Sequence, residues 1–366
     1  MKEPDVIETL VDERRLTRRL FIKTAVGIGL GVGSSYFLGC AAPAQPMATP
    51  AKPTPTTVAP TSATPSAADV AASGGARTVT FASTSSGAVG LITEVIQKKG
   101  IDAKYGIKLD VKLFDPAAGE KAVLLKQTEV GLFPLVSAAR AAAENVPVVI
   151  FAPMLYNHEY TIVREDSPYK SMADLKDKKI ATLDKISGVY TSAQVFSKEV
   201  GGDFEKDYHI ITGPPPAVIS FIERGDVEAV IMHDPLVSNM LATGKYRQIL
   251  AYSEEWKRMT GQPMFMIGLA AHRPWIEQNK AVAGSLNKMV LDATRYIVQH
   301  PEVVEENKKF LGLNDAAVKL AEKRMLSIYP DHWDANLIRN AKHIIDRAVE
   351  LKIVPEAPKQ DIFLIP

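Results

Sequence analysis

The sequence predicts an α/β protein with two lobes, each a mainly parallel sheet flanked by helices, that follows a disordered tether. Three observations predict this. Short strand-like segments alternate with segments of helical periodicity from Arg77 onward. A stretch dominated by Ala, Pro, Thr and Ser precedes them, and an export signal stands ahead of that stretch.

The N-terminus carries the pattern of a twin-arginine lipoprotein signal. Residues 17–23, TRRLFIK, place two adjacent arginines before Phe and Lys at fixed offsets, and a weakly apolar run follows. The run is too short and too rich in glycine for a transmembrane helix, which needs about twenty apolar residues. It ends in Leu38-Gly39-Cys40, a sequence typical of a bacterial lipobox. We therefore predict a signal peptide over 1–39 and a lipid on Cys40, which anchors the protein at the extracytoplasmic face of the cell membrane.

Residues 40–76 are predicted to form a disordered tether. Seven prolines lie between positions 43 and 65, and few large apolar side chains accompany them. Such a segment cannot bury enough apolar surface to offset the entropy of ordering its backbone. Its expected role is to hold a folded body away from the membrane.

Composition excludes several classes of protein. The chain has 43 Lys and Arg residues against 42 Asp and Glu residues, so a basic surface for nucleic acid is not indicated. Cys40 is the only cysteine, so no disulfide can form within one chain. The seven histidines are scattered, without the spacing of a metal site, and no Gly-x-Ser-x-Gly motif is present. We expect no metal, no cofactor and no enzymatic activity.

The first lobe is predicted to span 77–161. Its expected strands are 78–82, 109–113, 130–133 and 148–151, and its expected helices are 89–96, 121–129 and 137–145. The second lobe is predicted to span 162–264. Its expected helices are 171–180, 188–200 and 215–223, and its expected strands are 180–183, 209–211, 227–232 and 246–252. The strand 265–270 is predicted to return to the first lobe, and the remainder, to residue 366, to be largely helical.

Four segments in this order resemble a known family. They are YGIKL at 105–109, GLFPL at 131–135, SMADLKDKKIA at 171–181 and GDVEAV at 225–230, the last followed by Asp234-Pro235. The chain from 77 to 354 resembles the solute-binding proteins of ABC importers, in the branch that includes nitrate, taurine, alkanesulfonate and thiamine-pyrimidine binders. Within it, the riboflavin-binding lipoproteins of bacterial riboflavin importers are the most similar group. The resemblance implies a periplasmic-binding-protein fold of type II and a monomer that delivers a small molecule to a membrane permease.

Ligands of open α/β sheets bind beyond the carboxyl ends of the strands, so the loops after the predicted strands supply the candidate site. Hydroxyls and helix N-terminal amides donate hydrogen bonds there, aromatic rings offer flat faces, and a carboxylate accepts. The candidates are Ser83, Thr84, Ser85, Ser86, Phe133, Tyr156, Tyr160, Ser187, Tyr190, Thr191 and Asp234.

These candidates have structural alternatives that the sequence leaves open. The segment 83–86 is also suited to capping the helix that follows it, and Asp234 to capping the helix after Pro235. Tyr156 and Tyr160 flank a crossing between the lobes, where packing is the other role.

The charges in these loops favour an uncharged ligand. Lys185 is their only fixed positive charge, and Asp234 and Glu159 oppose it. A nitrate or sulfonate site would want a cation or a dense nest of amides. A flat, hydrogen-bonding heterocycle fits better, with riboflavin as the first choice and a thiamine pyrimidine precursor as the second. The alternatives are an aliphatic sulfonate, taurine or nitrate as ligand, an enzyme on the same fold, and an adhesion or scaffold lipoprotein without a ligand.

The lipobox yields the first testable prediction. Cys40→Ala should abolish lipid modification, because the thiol that carries the diacylglycerol is gone, and should leave a precursor or a shed protein. Mass spectrometry of the mature N-terminus and membrane fractionation measure this. Unchanged membrane retention and lipid mass in the variant would contradict it.

Overall fold

The structure is a computed structural model and describes residues 76–366, apart from the side chain of Pro116. The predicted signal peptide, Cys40 and the predicted tether up to residue 75 lie outside the described residues. Within residues 76–366, none of the helices combines the length and the apolar character needed to cross a bilayer.

Ten strands form two five-stranded sheets. The first sheet contains β1 (Arg77–Thr84), β2 (Ile107–Phe114), β3 (Val130–Pro134), β4 (Val148–Tyr156) and β10 (Phe265–His272). The second sheet contains β5 (Glu159–Arg164), β6 (Lys179–Thr182), β7 (His209–Thr212), β8 (Ala229–His233) and β9 (Tyr246–Ala251). The strand orders are β2-β1-β3-β10-β4 and β7-β6-β8-β5-β9. Each sheet with its helices forms one lobe.

Each sheet is mainly parallel, as predicted, with one antiparallel strand. In the first sheet β10 runs antiparallel to both neighbours, β3 and β4. In the second sheet β5 runs antiparallel to both neighbours, β8 and β9. The remaining pairs are parallel. The two antiparallel strands are the ones that enter each sheet from the other lobe.

The chain passes between the lobes twice. At the first crossing only Asn157 and His158 separate the end of β4 from the start of β5. The second crossing, 252–264, contains a helix and leads from β9 to β10. The two crossings are tied together, because the Asn157 amide donates to the carbonyl of Met264 at 2.7 Å. Both carboxyl edges therefore adjoin at the crossings.

Helices cover the faces of both sheets. Those between β1 and β10 are α1 (Gly87–Lys98), α2 (Pro116–Leu124), α3 (Leu135–Ala143), α4 (Gly188–Glu199), α5 (Phe204–Asp207), α6 (Pro215–Arg224), α7 (Leu236–Ala242) and α8 (Tyr252–Thr260). After β10 follow α9 (Arg273–Gln278), α10 (Lys280–Gln299), α11 (Glu302–Glu306), α12 (Lys308–Leu311), α13 (Val318–Met325) and α14 (Ala335–Glu350). The region after residue 272 is thus largely helical.

The lobes share one apolar core. One face of the first sheet packs under α1, α10 and α13, and one face of the second sheet packs under α6 and α7. The two remaining faces belong to a single buried cluster, with α14 lying against both α3 and α4. At its centre Trp256 is fully buried and donates to Asn340 Oδ1 at 2.9 Å, while Asn340 Nδ2 donates to the carbonyl of Pro263 at 2.6 Å.

Three local predictions were wrong. The helix predicted at 121–129 is α2, which begins earlier because Pro116 suits the first turn of a helix. The helix predicted at 171–180 is a single 3₁₀ turn, Ala173–Leu175, since Asp177 adopts a left-handed conformation with φ 59°. Tyr156 and Tyr160 were expected in a loop after a predicted strand, yet they lie in β4 and β5, with only Asn157 and His158 between these strands.

The buried Asn340 bridge yields a stability prediction. Asn340→Ala should destabilise the protein by about 1–3 kcal/mol, because the Trp256 N–H and the Pro263 carbonyl lose their partner in a buried place. Urea denaturation followed by tryptophan fluorescence measures this. Asn336→Ala, at an exposed position on the same helix, is the matched control and should change stability by less than about 0.5 kcal/mol. Equal stability of both variants would contradict the prediction.

Candidate functional site

The carboxyl edges of the two sheets meet beside the first crossing. In the second sheet Glu159 pairs with His233 and Tyr160 with Met232, so the start of β5 lies at the end of β8. In the first sheet Phe265 pairs with Tyr156, so the start of β10 lies at the end of β4. Side chains that follow strands in both lobes are therefore close to one junction, which is where ligands of open α/β sheets bind.

Asp234 is the most constrained of the predicted site residues. Its side chain is fully buried. One carboxylate oxygen accepts from the Ser238 amide at 2.9 Å and the Ser238 hydroxyl at 2.6 Å, and the other accepts from Arg324 Nε at 2.8 Å. Asp234 thus caps the first turn of α7, the alternative that the sequence left open, and also forms an ion pair.

Arg324 was not among the predicted residues, although it joins two of them. It lies on α13, whose Ala321 and Met325 are buried in the first lobe's core. From there its guanidinium reaches the second sheet, where it pairs with Asp234 and donates to Gln248 Oε1 at 2.8 Å. No signal in the sequence could have found it, because it stands 90 positions from Asp234 among helices without a motif.

The guanidinium of Arg324 also lies 3.9 Å from the centroid of the Tyr160 ring. Tyr160 and Asp234 are therefore brought together, since both contact the same guanidinium. A second link lies nearby: Asn239 on α7 donates to the carbonyl of Gly312 at 2.8 Å and accepts from the amide of Asn314 at 3.1 Å. These contacts connect the lobes on the side opposite α14.

Ser187, Tyr190 and Thr191 form the start of α4. Ser187 Oγ accepts from the Tyr190 amide at 3.1 Å, and Thr191 Oγ1 donates to the Ser187 carbonyl at 3.2 Å. The Tyr190 ring is buried and meets Phe204 edge to face at 5.3 Å. Its hydroxyl donates to Glu205 at 2.5 Å, and this bond, followed by Lys185 at 3.1 Å, lowers the pKa of Glu205. All three residues have structural partners here.

The segment 83–86 is divided between core and surface. Ser83 is buried and its hydroxyl lies 2.8 Å from that of Thr93, while Thr84 donates to the carbonyl of Ser86 at 2.8 Å. Ser85 and Ser86 are exposed. Ser86 is the N-cap of α1 but makes no side-chain capping bond. The first turn of α1 therefore keeps amide groups that its own cap does not satisfy.

The two remaining aromatic candidates are buried. Phe133 is fully buried within the core shared by the lobes, and this gives its ring a packing role. Tyr156 is 5% exposed at the end of β4, and burial raises the pKa of its hydroxyl. The assignment of the predicted residues to ligand contact stays a prediction.

The first crossing gathers buried titratable groups. The rings of His158 and His233 meet edge to face at 5.3 Å. Burial, with the neighbouring His233 second, lowers the pKa of His158 to about 3, and burial lowers the pKa of His233. Both imidazoles are therefore neutral at neutral pH. Burial also raises the pKa of the Glu159 carboxyl well above its usual range.

Among residues 76–366, no group of three or more His, Cys, Asp or Glu side chains is placed to hold a metal ion. Two lobes whose carboxyl edges adjoin at paired crossings, with polar and aromatic side chains between them, define a solute-binding protein of the periplasmic type.

Comparison with known proteins agrees with that class. The taurine-binding periplasmic protein of Escherichia coli (strain K12) is 26% identical over 267 residues, which cover 69% of this chain and 80% of that protein. A putative sulfonate ABC transporter, periplasmic sulfonate-binding protein, from Methylobacillus flagellatus KT has a similar structure, with a TM-score of 0.62 at 17% identity over 79% of this chain and 92% of that one. The periplasmic nitrate-binding protein from Synechocystis PCC 6803 has a TM-score of 0.59 at 14% identity, covering 76% and 83%.

The profile of one family, described as NMT1/THI5 like, matches residues 90–304, more than half of the chain. The chain belongs to the NMT1/THI5-like family. It is homologous to the periplasmic solute-binding proteins of ABC importers, in the group that includes taurine-, sulfonate- and nitrate-binding proteins.

The Arg324–Asp234 pair yields a prediction. Arg324→Ala should destabilise the protein by about 3–5 kcal/mol, because it leaves the buried Asp234 carboxylate without its cation. Urea denaturation measures this. Lys323→Ala, at an exposed position on the same helix, is the control and should change stability by less than about 0.5 kcal/mol. A loss in Arg324→Ala no larger than in the control would show that Ser238 alone satisfies Asp234.

Proposed function

We propose that this protein is the lipid-anchored, extracytoplasmic substrate-binding component of an ABC importer. It captures a small, uncharged aromatic heterocycle and passes it to a membrane permease. Riboflavin is the first candidate and a thiamine pyrimidine precursor the second. Family membership and the two adjoining carboxyl edges support the binding role. We assign the protein no catalytic activity, because its homologues are binding proteins.

The observation that carries the choice of ligand is that the cations beside the candidate residues are already paired. Lys185 lies 3.1 Å from Glu205 and is largely exposed. Arg324 is paired with Asp234 and donates to Gln248. The charges of both cations are already balanced by carboxylates, so an anionic solute gains less beside them than beside an unpaired cation, although the buried Arg324 Nη2 has no hydrogen-bond partner among the described residues. An uncharged solute needs no such cation.

Aromatic side chains border the first crossing on both sides. Tyr156 ends β4 in the first lobe and Tyr160 lies in β5 of the second, so the two tyrosines flank the point where the lobes join. Aromatic faces and nearby hydrogen-bonding groups are what a flat heterocycle needs. Tyr160 already contacts Arg324, and a solute of this kind would exchange such contacts for its own.

A second candidate function is the binding of taurine, an aliphatic sulfonate or nitrate. The start of α1 favours it, because Ser86 leaves the first-turn amides without a capping side chain and Ser85 and Ser86 are exposed. Helix N-termini of this kind bind anions. The names of the relatives also point this way. An enzyme on the same fold is the remote alternative, and no side-chain arrangement described above favours it.

Binding to a panel of solutes tests the proposal. Riboflavin or 4-aminopyrimidine should raise the melting temperature of the purified protein, with a gain of about 2.7 kcal/mol in stability at 100 times the dissociation constant. The affinity by calorimetry should change little between low and high salt, since no charge pair forms. Taurine, ethanesulfonate and nitrate, the ligands of the second candidate function, are measured in the same way. Salt-sensitive binding of one of these, with none of the heterocycles, would replace the first proposal by the second.

A further inference from the structure

The carboxyl group of Glu159 is the most unusual buried group in the described part of the chain. The residue is fully buried at the start of β5. Neither carboxylate oxygen has a hydrogen-bond partner within residues 76–366. Asn157 and Ser192 lie close enough for a weak hydrogen-bonding interaction that lowers the pKa of the carboxyl, but their contacts fall outside hydrogen-bond geometry, and burial outweighs them. Buried polar groups without partners are costly and rare, so each of them needs a cause.

The side-chain amide of Asn157 is a second buried polar group with an atom that lacks a hydrogen-bond partner in the described part of the chain. The residue is 1% exposed, and its side-chain oxygen accepts from the Glu159 amide at 3.0 Å. That bond fixes which way the side-chain amide is turned. Its Nδ2 has no hydrogen-bond partner among the described residues. Among the described residues, Glu159 therefore keeps two acceptors, and Asn157 one donor, without hydrogen-bond partners. The two residues lie two positions apart at the first crossing, where the carboxyl edges of both sheets adjoin.

Within residues 76–366, no cation lies close enough to Glu159 to lower the pKa of its carboxyl. Ser192 on α4 and Tyr252 on α8 lie near it and are uncharged. His233, opposite it in the sheet, is neutral at neutral pH because burial lowers its pKa. Arg324 stacks on Tyr160, which points to the other face of β5 because successive residues of a strand alternate. The hydrogen-bond partner of the Glu159 carboxyl would therefore come from a bound molecule.

We infer that Glu159 and Asn157 form the recognition pair of the solute site: the Glu159 carboxyl accepts from a nitrogen-bound hydrogen of the solute, and Asn157 Nδ2 donates to an acceptor beside it. This rests on the proposed function, and it adds two specificity-determining residues at the first crossing. The solute reaches the pair when the lobes separate. The shared chemistry is an N–H donor next to an acceptor. A heterocyclic lactam or aminopyrimidine edge supplies both, and the ammonium of taurine supplies the donor alone.

The protonation state of Glu159 distinguishes the binding of a neutral heterocycle from the binding of taurine. Since its pKa lies well above the usual range, the carboxyl is protonated to a greater extent than an exposed one. A neutral heterocycle can bind the protonated form without proton exchange. An ammonium favours the ionised form, so its binding releases a proton. Calorimetry of wild-type protein in two buffers with different ionisation enthalpies distinguishes these results.

The test compares Glu159→Leu, which removes the acceptor at similar volume, with a matched control. Gln would not serve, because its side-chain oxygen accepts as the carbonyl oxygen of a protonated carboxyl does. Glu228→Leu makes the same change just before β8, at the amino edge of the same sheet, where Glu228 pairs with Arg164 at 3.8 Å. Affinities for riboflavin, 4-aminopyrimidine and taurine are measured on the purified full chain. Glu159→Leu should weaken binding of the solute that the wild type takes by about tenfold or more, as expected for a lost hydrogen bond to a carboxyl, and Glu228→Leu should leave it unchanged.

Each outcome is informative. Equal affinity of wild type and Glu159→Leu would overturn the recognition pair alone, whereas a wild-type protein that binds none of the three solutes would overturn the proposed ligand class and the pair together. If Glu159→Leu fails to fold by circular dichroism, Asn157→Ser, which removes the Nδ2 donor, takes its place. It should lose affinity for the heterocycles and keep that for taurine, which has no acceptor beside its ammonium group. Unchanged affinity for the heterocycles would overturn the pair.

Discussion

The first crossing, Asn157-His158, is the constraint on which the rest of the structure depends. Because β4 ends and β5 begins within two residues, the carboxyl edge of one sheet must adjoin that of the other. β5 and β10 then run antiparallel to their sheets, since each enters at the edge where the other strands end. Residues that are far apart along the chain, such as Tyr156 and Asp234, thereby come to line one junction.

The lobes are joined differently on the two sides of this junction. On one side α14 completes an apolar core, held by the Trp256–Asn340 hydrogen bond. On the other, Arg324 and Asn239 make polar contacts between α13, α7 and the chain around Gly312. Separating the apolar side exposes surface that water solvates poorly, whereas the polar groups on the other side can exchange their partners for water. The polar contacts on the Arg324 side are therefore the ones more readily exchanged for water.

The junction also departs from the pairing that a protein core normally achieves. Glu159 and Asn157 keep buried polar atoms without partners, while His158 and His233 avoid the same cost by remaining neutral. A solute that supplies both a donor and an acceptor removes the imbalance at the place where the lobes join.

The sequence by itself determined the alternation of strands and helices and the mainly parallel sheets, because periodicity and turn residues act over a few positions, and four ordered segments indicated the family by resemblance. It misplaced α2 and missed β5, since the limits of both elements depend on neighbours elsewhere in the fold. Only the tertiary structure brought Arg324 to Asp234 and Tyr160, and only burial distinguished Glu159 from an ordinary surface carboxylate. Ion pairing between distant segments and desolvation are properties of the packed chain, and no local pattern of residues encodes them.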